Sequence, residues 1–253
     1  MPTQQACLSV VGLGPGADEL VTPQVRAAIA NASDAFGYFP YIARLSGLEH
    51  LQLHASDNRE ELDRARAALN TAAQGRQVLM LSSGDPGVFA MASAVFEVLD
   101  HATPEEQARW AAVDVQVLPG ITAMLAAAAR LGAPLGHDFC TINLSDNLKP
   151  ASVIERRIRL AAQADFAMAF YNPASKNRPQ GFERALRVLQ EECEPQRLVC
   201  LARNVSRPDE SFQVLRLEQV QADMADMRTL VIVGNRYTRQ VGRHVYTPRS
   251  YAE

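Results

Sequence analysis

Short apolar runs alternate with longer segments of helical period along this chain. Leu8-Ser9-Val10-Val11 reads as a buried strand that runs into a glycine-rich turn. Thr22-Pro23 then opens a helix, with Thr22 as N-cap and Pro23 at the first helical position. A charged helical stretch from Arg59 to Ala73 leads to a strand over Val78 to Leu81, which ends in Ser82-Ser83-Gly84-Asp85-Pro86-Gly87. There Asp85-Pro86 predicts a second cap and first-turn proline, with the helix continuing from Phe89 to Leu99. The stretch from His101 to Ala112 is more polar and reads as a solvated connection or short helix around Trp110.

The alternation continues in the second half. Val113 to Leu118 predicts a strand, Ile121 to Leu131 an alanine-rich helix stopped by Gly132, and Phe139 to Leu144 a strand. A helix to about Gln163, a strand over Phe166 to Phe170 and a helix from Pro179 to Glu192 follow. Leu198 to Ala202 and Phe212 to Leu217 are joined by too short a turn for a helical crossover, so this pair is antiparallel, and Leu230 to Val233 is a last strand. The pattern predicts an α/β protein of two α/β domains, with a mostly parallel first sheet and a mixed second sheet. The boundary falls near Pro119-Gly120, giving domains 1–119 and 120–253.

Composition narrows the function class. With 253 residues, 47% of them hydrophobic, the chain has ample apolar surface for a packed core. Its formal net charge of -3 lacks the basic excess of a general nucleic-acid binder. No apolar run is long enough to span a bilayer, and the start has no basic leader region, so a cytoplasmic enzyme is expected. Cys7, Cys140, Cys193 and Cys200 form no C-x-x-C pair, and His50 and His54 have no third ligand beside them, so no bound metal or iron–sulfur cluster is expected.

The unusual residues gather after strands. Gly12-Leu13-Gly14-Pro15-Gly16, Ser83-Gly84-Asp85-Pro86, Pro119-Gly120-Ile121-Thr122, Ser145-Asp146-Asn147, Tyr171-Asn172-Pro173 and Arg203-Asn204-Val205-Ser206 each follow one. Open α/β sheets bind ligands outside the carboxyl ends of their strands, so these loops predict one composite site. The first loop is a poor dinucleotide fingerprint: it reads G-x-G-x-G, and Pro15 has no N–H for a pyrophosphate. A P-loop is absent. Asp85 has two readings, a cap for the following helix and a partner for a cationic ligand. His137-Asp138 also has two, an acid/base pair or a hydrogen-bonded turn.

Taken in order, Val11-Gly12-Leu13-Gly14-Pro15-Gly16, Ser82-Ser83-Gly84-Asp85-Pro86-Gly87 and Leu118-Pro119-Gly120-Ile121-Thr122-Ala123 resemble the tetrapyrrole (class III) S-adenosylmethionine-dependent methyltransferases. In the second half, Gly136-His137-Asp138-Phe139, Leu144-Ser145-Asp146, Tyr171-Asn172-Pro173 with Ser175-Lys176, and Arg203-Asn204-Val205 resemble members that act in cobalamin biosynthesis, where methylation of a precorrin accompanies contraction of its ring. Sister enzymes that methylate another ring carbon, including uroporphyrinogen methyltransferases, stay open as alternatives. The resemblance implies S-adenosyl-L-methionine as methyl donor, S-adenosyl-L-homocysteine as product, a cofactor cleft between the two domains, and a homodimer without nucleic-acid or membrane partners. It implies cofactor contacts from Pro15, Gly84, Asp85, Pro86, Phe89, Thr122, Ala123, Asn172 and Val205. The substrate carboxylates it implies call for basic partners, and Lys149, Lys176, Arg178, Arg203 and Arg207 are the candidates. For the proton movements of ring contraction the candidates are His137, Asp138, Ser145 and Asp146.

Overall fold

The structure is a computed structural model that describes residues 6–175 and 178–250. The chain divides into two compact units, Met1–Thr122 and Ala123–Glu253.

The first unit runs β1 (Cys7–Gly12), α1 (Pro23–Asn31), β2 (Asp34–Tyr38), α2 (Phe39–Ile42), β3 (Gln52–Ser56), α3 (Glu61–Ala72), β4 (Gln77–Ser82), α4 (Met91–Asp100), α5 (Pro104–Trp110) and β5 (Asp114–Leu118). Its sheet has the order β3-β2-β4-β1-β5, and every neighbouring pair is parallel. Alternate residues of β1 and β4 face opposite ways, as the pleat requires. Leu8, Val10, Val78 and Met80 pack with α3, α4 and Trp110 of α5, whereas Val11, Leu79 and Leu81 pack with Val25 of α1. Thr22 does cap α1, its Oγ1 accepting the Val25 N–H at 3.3 Å, and Pro23 is the first helical residue.

Asp85 does not cap α4. That helix begins six residues later, at Met91, and its first N–H is accepted by Ser82 Oγ at 3.1 Å. Residues 86–90 form a turn and bends instead, with Phe89 at φ 53°. The pattern also missed β2 and β3, and the polar stretch around Trp110 contains α5, closed at its start by a Thr103–Glu106 capping box.

The second unit runs α6 (Ala123–Leu131), β6 (Gly132–Ala133), β7 (Phe139–Asn143), α7 (Ala151–Gln163), β8 (Ala167–Tyr171), α8 (Gly181–Glu192), β9 (Leu198–Arg203), β10 (Ser211–Arg216), β11 (Thr229–Val233), β12 (Arg239–Val241) and β13 (His244–Tyr246). Its main sheet is mixed, in the order β10-β9-β11-β8-β7: β7 and β8 are parallel, and the other pairs are antiparallel. Ile142, Met168, Phe170, Val199, Leu201, Val231 and Val233 share one core with Ile154 and Ile158 of α7 and Phe182, Leu186 and Leu189 of α8. A small sheet, β12-β13-β6, pairs the C-terminal hairpin with the residues just after α6. Gly132 is required at that junction, since a Cβ there would lie 2.7 Å from the Val245 carbonyl oxygen and its φ is +127°.

Candidate active site

In the first unit the loops after β4, β1 and β5 are neighbours because the strands are. They meet backbone to backbone. Gly14 and Gly84 exchange two hydrogen bonds, Gly14 N–H to the Gly84 oxygen at 3.2 Å and Gly84 N–H to the Gly14 oxygen at 2.9 Å. A Cβ on Gly12 would lie 2.4 Å from the Gly84 oxygen, and one on Gly120 would lie 2.2 Å from it. Only glycine permits this approach. The Asp85 carboxylate ties two of these loops, those after β4 and β5: Oδ1 accepts the Gly87 N–H at 2.8 Å and Oδ2 accepts the Gly120 N–H at 3.0 Å. Asp85 thus orders the loops through backbone groups. Pro15 and Pro86 are buried beside it, Thr122 is buried at the end of the unit, and Phe89 is 46% exposed on a left-handed backbone. A left-handed, exposed aromatic residue is strained and persists where its position matters.

In the second unit the matching edge holds the ends of β7, β8 and β9 and the starts of β10 and β11. Asn143, the last residue of β7, joins two loops: its Oδ1 accepts the Ser145 N–H at 2.9 Å and the Asn172 side-chain amide at 3.1 Å. The Tyr171 hydroxyl oxygen accepts the Met124 N–H at 3.0 Å, which fixes the first turn of α6, and with it Ala123, next to the end of β8. Asn172, Asn204 and Ser206 all have positive φ, between 51° and 59°. The last two bracket the buried Val205, and their loop is pinned by Asn204 Nδ2 to Asp209 Oδ2 at 2.7 Å and Ser206 N–H to Glu210 Oε2 at 2.8 Å.

The four expected proton carriers do not come together. His137 and Asp138 precede β7, whereas Ser145 and Asp146 follow it; five strand residues, about 17 Å of chain, separate the two pairs. His137 Nδ1 accepts the Asp138 N–H at 2.7 Å, so this pair forms a turn at the far edge of the sheet. Asp146 is held by ion pairs, with Arg184 Nη2 at 2.7 Å and Arg178 Nη1 at 3.9 Å. Of the basic candidates, Arg203 is engaged with Asp226 at 3.1 Å and Arg207 is exposed. Lys149 and Arg178 stand beside Asp146, and Lys176 lies outside the described residues. Sequence reading missed Asn143, Tyr171 as a holder of α6, and Arg184. The signal for Asn143 was a polar amide near the end of the strand that leads into Ser145-Asp146.

Burial raises the thiols of Cys140, Cys193 and Cys200, the last to about 12, which suits packing rather than ligation or nucleophilic attack. Among the described residues, no three His, Cys, Asp or Glu side chains gather as a metal site, and no helix is long and apolar enough to cross a membrane.

Residues 8–221 match the family of Tetrapyrrole (Corrin/Porphyrin) Methylases. The chain belongs to this family. A tetrapyrrole methylase from Sinorhizobium, a precorrin-3B C(17)-methyltransferase, is 51% identical over 97% of this chain and 97% of its own. A probable cobalt-factor III C(17)-methyltransferase from Salmonella typhimurium is 37% identical over 96% and 99%. Among solved structures, the methyltransferase CobJ superposes with a TM-score of 0.91 at 58% identity, over 96% of this chain and all of that one. A cobalt precorrin-4 methyltransferase, CbiF, shares the tetrapyrrole methylase fold with a TM-score of 0.71 at 17% identity.

Proposed function

We propose that this tetrapyrrole methylase transfers a methyl group from S-adenosyl-L-methionine to C(17) of precorrin-3B, with ring contraction to precorrin-4, in cobalamin biosynthesis. The observation that carries this reading is the 51% identity to the Sinorhizobium enzyme across 97% of both chains, which includes the loops after β7, β8 and β9.

The residues fit a sulfonium nucleoside. The close approach of Gly12, Gly84 and Gly120, where a Cβ on Gly12 or Gly120 would strike the Gly84 carbonyl, leaves a wall of bare backbone, and these loops carry no lysine. When bound, the cofactor supplies an electrophilic methyl group, so the protein's task is alignment rather than activation. Asp85 holds the loops after β4 and β5 together through its two backbone bonds, and the Gly14–Gly84 backbone pair adds the loop after β1. Phe89 offers an exposed ring for face contact with a flat heterocycle. Pro15, Pro86, Thr122, Ala123, Asn172 and Val205 complete the proposed cofactor contacts. Asn143 and Tyr171 fix Asn172 and Ala123 from behind. Ser145, half-buried in the loop after β7, remains as the proposed carrier of a proton during contraction; His137 and Asp138 are too far along the sheet to share that step. We also propose, on the family resemblance, a cytoplasmic homodimer that takes a small tetrapyrrole.

Calorimetry with S-adenosylhomocysteine and with NADPH tests the cofactor assignment. Binding of the first and not the second is expected; the opposite preference contradicts it.

A further inference from the structure

We propose that Asp146, Arg178, Arg184 and Lys149 form a subsite for one carboxylate of the tetrapyrrole, in which Asp146 holds the cations in place rather than carrying a proton. The proposal rests on the methyltransferase reading above.

The geometry is uneven in an informative way. Arg184, from α8, donates through Nη2 to Asp146 Oδ2 at 2.7 Å. Arg178 does not: its Nη1 stands 3.9 Å from Asp146 Oδ1, beyond hydrogen-bond reach. The Arg178 side chain is only 13% exposed, and Nη1 is buried with no hydrogen-bond partner among the described residues. Its Nη2 faces the Met227 sulfur at 3.8 Å, a weak acceptor. A buried guanidinium N–H without an acceptor carries a desolvation cost that nothing among the described residues returns.

Charge counting points the same way. Lys149 closes the loop that begins at Ser145. Its ammonium is lowered first by burial and then by the positive charges of Arg157 and Arg178, against which Asp146 is the one opposing charge. One carboxylate therefore serves several cations. A second carboxylate placed between Arg178 and Lys149 would give Arg178 Nη1 its acceptor and relieve the repulsion on Lys149. A planar guanidinium suits that group. The loop is also the right place: Asp146 directly follows Ser145, which shares the Asn143 acceptor with Asn172. Asp146 itself has both oxygens turned to guanidinium groups, the arrangement of a holder.

The test uses uroporphyrin III, a porphyrin with eight carboxylates, as a fluorescent probe, and S-adenosylhomocysteine in calorimetry on the same samples. Arg184→Gln and Lys149→Gln are expected to weaken porphyrin binding by about tenfold or more while leaving S-adenosylhomocysteine affinity as in the wild type. Lys149 is a loop side chain, so its variant keeps the test open should Arg184→Gln fail to fold. Asp146→Asn is expected to place its loss in KM rather than in kcat. Wild-type porphyrin affinity in both charge variants overturns the subsite and leaves the methyltransferase reading standing. A collapse of kcat at unchanged KM in Asp146→Asn assigns it the proton and likewise overturns the proposal. Failure of the wild type to bind S-adenosylhomocysteine overturns the reading on which the subsite rests.

Discussion

Three glycines set the tightest requirement at the level of single residues. Gly12, Gly84 and Gly120 come from three loops far apart in sequence, and a Cβ on Gly12 or Gly120 would fall within 2.4 Å of the Gly84 oxygen. Gly12→Ala and Gly120→Ala are therefore expected to lose S-adenosylhomocysteine binding and about 1–3 kcal/mol of stability, read by calorimetry and urea unfolding. Wild-type affinity in either variant would show that the loops tolerate separation and do not form the cofactor wall. His137→Ala and Asp138→Asn should keep turnover within about twofold of wild type, since both residues sit in a turn at the other edge of the sheet. Loss of turnover in either, with cofactor binding intact, would return them to the chemistry. Cys200 offers a simpler check. Burial raises its thiol to about 12, so the thiolate is scarce at ordinary pH, and Ellman's reagent should reach it only after unfolding. The glycines were legible in the sequence because their residue type announces the backbone they need. The task of Asp85 was not, because one of its two partners, Gly120, is 35 residues away and visible only once β4 and β5 flank β1.

The secondary-structure elements were legible where a core patterned them. β4, β8 and β11 carry unbroken apolar runs, and β1 one interrupted only by Ser9; all four bury both faces, and the apolar runs announced them. β2 and β3 carry no such run. β2 contains Gly37 and begins on a charged residue, and the edge strand β3 reads Gln52-Leu53-His54-Ala55-Ser56 with no buried position. What places them is polar. Asp34, fully buried at the head of β2, accepts from Ser33 Oγ at 2.7 Å and His54 Nε2 at 3.0 Å and lies 2.6 Å from Arg76 Nε just before β4. The His54 ring also stacks on Phe36 with centroids 4.1 Å apart. One carboxylate thus joins three strands. Arg76→Ala removes a main partner of a buried charge and is expected to cost about 2–4 kcal/mol, below the full penalty for a sealed pair because Arg76 is partly exposed. A midpoint in urea unchanged from wild type would show that His54 and Ser33 suffice to hold the carboxylate.

At the scale of the whole molecule, each unit brings its own kind of loop to the edge where its strands end. The first contributes bare glycine backbone and an aspartate spent on ordering it. The second contributes amide and hydroxyl side chains on left-handed backbone, with cations gathered around Asp146. The first set suits a flat, phosphate-free cofactor, and the second suits an acceptor rich in carboxylates. The general chemistry was readable from motif order, whereas the grouping of Asp146 with Arg178 and Arg184 depends on α8 bringing Arg184 to the loop after β7 and was not. The most direct test of the account is incubation of the enzyme with precorrin-3B and methyl-labelled S-adenosylmethionine, followed by mass and NMR analysis of the product. The label is expected at C(17) of a contracted ring; a label at C(11) of an uncontracted ring, or none, would contradict the assignment.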